Sequence, residues 1–115
     1  MVFMDGTHRV FMNSDVVTFF LDVLPILAPG VLVGIHDIQL PDDYRPEYGE
    51  EYYSEQYMLA AYLLGGTPWL KPTLPCWYLS NHRDLGVLAN RLFVSGPLAG
   101  VNPQGVLFWM TVGER

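Results

Sequence analysis

The chain is short of several things, and each shortage excludes a class of function. Cys76 is the only cysteine among 115 residues, so no disulfide can form within the chain and no thiolate zinc site can be assembled. Lys plus Arg number 6 against 12 for Asp plus Glu, a net charge of −6. That balance leaves no basic groove for broad binding to nucleic acid or to an anionic membrane surface. No apolar run reaches the roughly 20 residues that a membrane-spanning helix needs; the best, Leu21 to Ile35, is broken by Asp22, Pro25, Pro29 and Gly30. The N-terminus has no basic start, and Asp5 interrupts its first apolar run, so no cleavable leader is expected. A cytoplasmic location, with no nucleic-acid and no membrane partner, follows as the simplest expectation. Also missing are a Gly-x-Ser-x-Gly elbow, a phosphate loop, an HExxH helix and any pair of glycines spaced as Gly-x-Gly.

What is present is apolar. Half the residues are hydrophobic, 14% are aromatic and 16% charged, which supplies a core and argues against disorder. The length fits one domain over residues 1–115, without a linker. So high an apolar fraction in so short a chain also suggests surface that a partner covers.

Local patterns give an α/β reading. Met1 to Met4 resembles a buried strand closing on Asp5-Gly6. Asn13, Ser14 or Asp15 can cap a helix whose Val16, Phe19, Phe20, Val23, Leu24 and Leu27 share one face, with Pro25 kinking or loosening its last turn. Val31 to Ile35 is a β-branched run that reads as a strand buried on both faces, ending in His36-Asp37. Strand, helix and strand at this spacing predict a parallel crossover. A polar loop, Gln39 to Glu51, holds much of the acidic charge. A helix is expected over Glu51 to Leu64 with Tyr53, Tyr57, Ala60, Ala61 and Leu64 on one face. Pro68, Pro72 and Pro75 mark an irregular connection; Cys76 to Leu79 reads as a short strand, Ser80 or Asn81 as a cap for a helix weakened by Gly86, and Val106 to Val112 as the last strand.

Two clusters carry possible chemistry. Asp5-Gly6-Thr7-His8 and His36-Asp37 close the first two strands, and in a parallel sheet those ends face one crevice. Asp5, His36 and Asp37 are candidate ligands for a divalent cation such as Mg²⁺ or Mn²⁺, and His36 or His8 is a candidate general base. The bland alternative makes Asp5 and Asp37 loop caps with His8 hydrogen-bonded to one of them. Tyr44, Tyr48, Tyr52 and Tyr53 are candidates to line a substrate mouth, against the plainer reading that they pack on a sheet edge. Trp69, Trp77 and Trp109 read as core or interface. Cys76, in apolar surroundings without a basic neighbour, reads as structural.

The stretch VFMDGTH, then a capped helix ending LPILAPG, then VLVGIHDI, resembles the fourth strand, following helix and fifth strand of class I S-adenosylmethionine-dependent methyltransferases. EYYSEQYMLAAYLL is similar to the helix after the fifth strand, and PCWYLSNH with GVLFWMTV to the closing antiparallel pair. The resemblance covers nearly the whole chain but only the second half of that Rossmann-like fold. It implies about four strands, a parallel pair plus a closing antiparallel pair in the family order 4-5-7-6, with flanking helices. It implies a small-molecule, oxygen-directed methyl transfer in which Asp5 and Gly6 would touch the cofactor S-adenosylmethionine, and Tyr44, Tyr48 and Tyr53 the acceptor. The glycine-rich loop and the acidic residue of the first half have no counterpart here, so the chain alone is expected to lack most of the donor site and to be inactive by itself. In that sheet order the first strand is left as an open apolar edge, and a homodimer or a partner chain is expected to cover it. A non-catalytic binding or assembly module, and a small metal-dependent hydrolase using Asp5, His8, His36 and Asp37, are the competing readings.

Overall fold

The computed structural model describes all 115 residues. It is a mixed α/β fold around a four-stranded sheet: β1 (Val2–Met4), β2 (Leu32–Ile35), β3 (Leu70–Pro75) and β4 (Phe108–Val112), in the order β1-β2-β4-β3. β1 and β2 run parallel, whereas β4 lies antiparallel between β2 and β3. No helix is long and apolar enough to cross a membrane.

The crossover from β1 to β2 is helical, as its periodicity predicts. Ser14 caps α1 (Asp15–Thr18) by accepting a hydrogen bond from the Val17 amide at 3.1 Å. The helix then loosens into a π turn over Phe19–Val23 and a 3-10 turn over Leu24–Ile26, where Pro25 has no amide to donate. Val16, Phe19, Phe20 and Leu24 are buried, with Val23 and Leu27 packed against them. They meet Val33 and Ile35 of β2 and Phe108, Met110 and Val112 of β4, whose alternation places them on one sheet face.

The opposite face is thinly covered. Phe3, Gly34 and Trp109 occupy it in register, and Phe3 and Leu74 are about half exposed. Gly34 is where a side chain is forbidden: an added Cβ would lie 2.5 Å from the Trp109 ring, which packs directly against the β2 backbone there.

Three sequence expectations are corrected. The third strand is not Cys76 to Leu79, which belongs to α3 (Cys76–Asn81), but the proline-bearing Leu70–Pro75. Pro72 and Pro75 are tolerated because β3 is an edge strand paired only with β4, with a bulge between Pro72 and Leu74. The cap of α4 (Arg83–Val94) is His82, whose Nδ1 accepts from the Asp84 and Leu85 amides; Ser80 and Asn81 instead bond back to carbonyls of α3. In α2 (Glu55–Leu64) the buried residues are Glu55, Gln56 and Leu59, and Tyr57 and Leu64 face outward. Two of those three are polar, which is why hydropathy alone points to the wrong face.

Gly34→Ala is expected to destabilise the fold by about 1–3 kcal/mol, the usual cost of overpacking, and to change Trp109 fluorescence in the folded state. Urea unfolding with an unchanged midpoint would refute the close packing.

Candidate functional site

The parallel register sets the site. Met4 pairs with Ile35, and the His36 amide donates to the Met4 carbonyl at 3.0 Å, so Asp5 and His36 leave adjacent strand ends side by side. Gly6 then turns the chain. A Cβ there would fall 2.0 Å from the Asp15 carboxylate, which accepts from the amide and hydroxyl of Thr7. Gly6 is thus committed to admitting Asp15, and with it the start of α1.

His8 and Asp37 both adopt left-handed backbone, φ 59° and 55°, a conformation that costs a non-glycine residue energy and that clusters at functional sites. For His8 the restraint is visible: its carbonyl accepts from the Ser54 amide at 2.8 Å and the Glu55 amide at 3.2 Å, at the start of α2. Its side chain is buried, stacks on Tyr53 with 4.5 Å between ring centroids, and is hydrogen-bonded through Nδ1 to Glu55.

The other His8 nitrogen faces the strand ends. Nε2 lies 3.3 Å from Asp5 Oδ1 and 3.5 Å from Asp37 Oδ2; His36 Nδ1 lies 3.6 Å and 3.3 Å from the same two oxygens. Two imidazole nitrogens and two carboxylate oxygens therefore alternate around a small space. Donors bound at about 2.1 Å to one cation are separated by about 3.0–3.4 Å, close to these distances. Donor atoms of Asp5, His8 and His36 all lie within 4.8 Å of one another. His36 Nδ1 is buried without a hydrogen-bond partner. The donor set fits a divalent cation, and equally a shared proton.

The tyrosines form a wall beside this space. Tyr53 packs on Tyr48 and Tyr44 with centroids 5.2 and 6.0 Å apart, and Tyr44 also meets Tyr48 and Tyr57 at 5.7 Å. Tyr44 is held by the Gln56 amide, and burial raises its hydroxyl pKa well above the ordinary phenol range. Tyr52 takes no part in these ring contacts and is largely exposed. The acidic loop is ordered by Gln39, whose amide donates to Gln56 Oε1 and whose own side chain accepts from the Arg45 amide. Trp77 joins it by donating to Asp42 at 2.8 Å. Cys76 is half-buried, and burial pushes its thiol pKa up. An open groove of about 420 Å³, lined by Leu40, Leu63, Tyr78 and Phe108, is apolar and holds none of the cluster residues.

Glu55 is the member that sequence reasoning missed. It is fully buried, and Oε2 has no partner. Burial pushes its pKa from the usual 4.5 up to about 7, against the downward pull of His8. The only sequence signal was a lone acid one residue after Ser54 at a helix start, which normally marks a solvated first turn.

Through that shift the folded protein retains a proton that the unfolded chain has lost, so the Glu55 contribution to stability declines as pH rises from about 4.5 to about 7. In Glu55→Gln that slope is absent. The variant is expected to gain stability relative to the wild type between about pH 5 and about pH 8; parallel melting curves across that range would refute the assignment.

No family model matches the chain, and no curated protein and no solved structure matches it either.

Proposed function

We propose that this chain forms the acceptor side of an S-adenosylmethionine-dependent methyl transfer to a hydroxyl oxygen of a small molecule. The supporting observation is the gathering of Asp5, His8, His36 and Asp37 at the carboxyl ends of a parallel strand pair. The sheet order β1-β2-β4-β3 is also that of the closing half of such a fold. His8 Nε2 accepts the acceptor's proton, and His36, the more exposed imidazole, is the second candidate base. Asp5, His36 and Asp37 are the side chains to hold Mg²⁺ or Mn²⁺; such an ion lowers the proton affinity of a hydroxyl oxygen placed on it. Tyr44, Tyr48 and Tyr53 offer ring faces for an acceptor's apolar side. The donor is a poorer fit: the chain has no Gly-x-Gly turn, and Gly6 is occupied by Asp15.

Ligand-observed NMR with phenols, catechols and simple sugars, with Mg²⁺ present, tests this reading. At least one class is expected to bind the wild type, and binding is expected to fall about tenfold or more in Tyr53→Ala and Asp5→Ala. A panel without binders would overturn it.

A second reading, an assembly module, is supported by apolar surface. Phe3 and Met1 are exposed at the open edge of β1, and Val87, Leu88, Leu92 and Val94 are exposed on α4. Self-association through the β1 edge is expected, and light scattering that returns a monomer at micromolar concentration would refute it. If assembly were the only role, Asp5→Ala and Asp37→Ala would alter stability or association and leave small-molecule binding unchanged.

A further inference from the structure

We infer that Glu55 is the positioning residue of the site: by accepting the Nδ1 proton of His8 it fixes the imidazole tautomer that presents an unprotonated Nε2 to Asp5, Asp37 and the acceptor. This rests on the reading of His8 as the base, and it adds a residue and a role that neither the strand-end motifs nor the resemblance contains.

Four observations carry it. Glu55 and His8 are both buried and are hydrogen-bonded through Nδ1, so water does not compete for that nitrogen. Glu55 Oε2 has no partner, which leaves His8 as the only group hydrogen-bonded to the carboxylate. The two residues are also joined through the backbone by the Glu55 amide and the His8 carbonyl, which holds the start of α2 against the loop after β1 and keeps the two side chains within reach of each other. Tyr53 closes one ring face of His8, which limits rotation of the imidazole.

A neutral imidazole carries its proton on one nitrogen only, and the hydrogen bond made by the other partner decides which. A carboxylate can only accept, so it selects Nδ1–H and leaves a lone pair on Nε2. Without such a partner the two carboxylates near Nε2, Asp5 and Asp37, would select the opposite tautomer, with a proton on Nε2. That tautomer cannot remove a proton from an acceptor at this nitrogen. Glu55 is thus set against two competing acids, and its direct hydrogen bond to Nδ1 is closer than either of their approaches to Nε2.

The test is nitrogen NMR of the full chain, ¹⁵N-labelled at histidine, at about pH 8, where Glu55 is ionised, with chelator present to keep cations off the ring. In the wild type the Nδ1–H form of His8 is expected to exceed the Nε2–H form by about tenfold. In Glu55→Gln, whose amide can donate to Nδ1, and in Glu55→Ala, the ratio is expected to fall to about one or to invert. Glu55→Asp, which keeps an acceptor, is expected to restore part of the preference. A wild-type His8 protonated mainly on Nε2, or a ratio unchanged in Glu55→Gln, would overturn the inference. Either result is independent of whether any phenol, catechol or sugar binds, so the inference and the methyl-transfer reading fail by different measurements. If the substituted proteins do not fold, the wild-type ratio alone decides.

Discussion

The clamp between His8 and the first turn of α2 is the constraint on which the site depends. Residues 47 positions apart are held together twice, once by backbone amides donating to the His8 carbonyl and once by the Glu55 side chain. The loop after β1 must therefore bend back toward the helix that follows β2, with left-handed backbone at His8. Strain of that kind persists only where surrounding bonds over-determine it. The clamp is also expensive, since it takes an acid and an imidazole out of water. Pairing them removes much of that penalty, and leaves one imidazole edge free to face the strand ends.

Around the clamp, each element has a division of labour. β1 and β2 aim Asp5 and His36 in one direction because they are parallel and in register. α1 and the two turns that continue it seal one sheet face with Val16, Phe19, Phe20 and Leu24. The acidic loop carries the tyrosines and is tied down by Gln39 and Gln56, so the aromatic wall rests on buried amide hydrogen bonds as well as on ring contacts. The polar core of this protein is thus concentrated at one end of α2, and the apolar groove lies toward the other.

The first third of the chain was legible in sequence because its chemistry and its periodicity agree. Ser14 caps, Val16 to Leu24 form a single stripe, Pro25 loosens the last turn, and a β-branched run follows a Pro-Gly turn. Asp5, His8, His36 and Asp37 were legible for the same reason: strand ends are local, and a parallel crossover brings them together. Glu55 was not. Its role depends on a contact 47 residues distant, and a glutamate in a first helical turn reads as solvated. β3 was hidden because Pro72 and Pro75 argue against a strand except at an edge, and edge position is a property of the whole sheet. α3 was hidden because Cys76 to Leu79 is equally apolar as helix or strand, and so short a run has no period to decide it.

Those prolines make the two margins of the sheet chemically unequal. β3 has lost two amide donors and is kinked by a bulge, whereas β1 offers an uninterrupted backbone. A strand from outside can extend the ladder at β1 far more readily than at β3. Two copies joined through their β1 margins would carry a proline-bearing β3 at both outer rims, so growth would stop at two. A dimer formed in this way would be a closed unit rather than the start of a fibre.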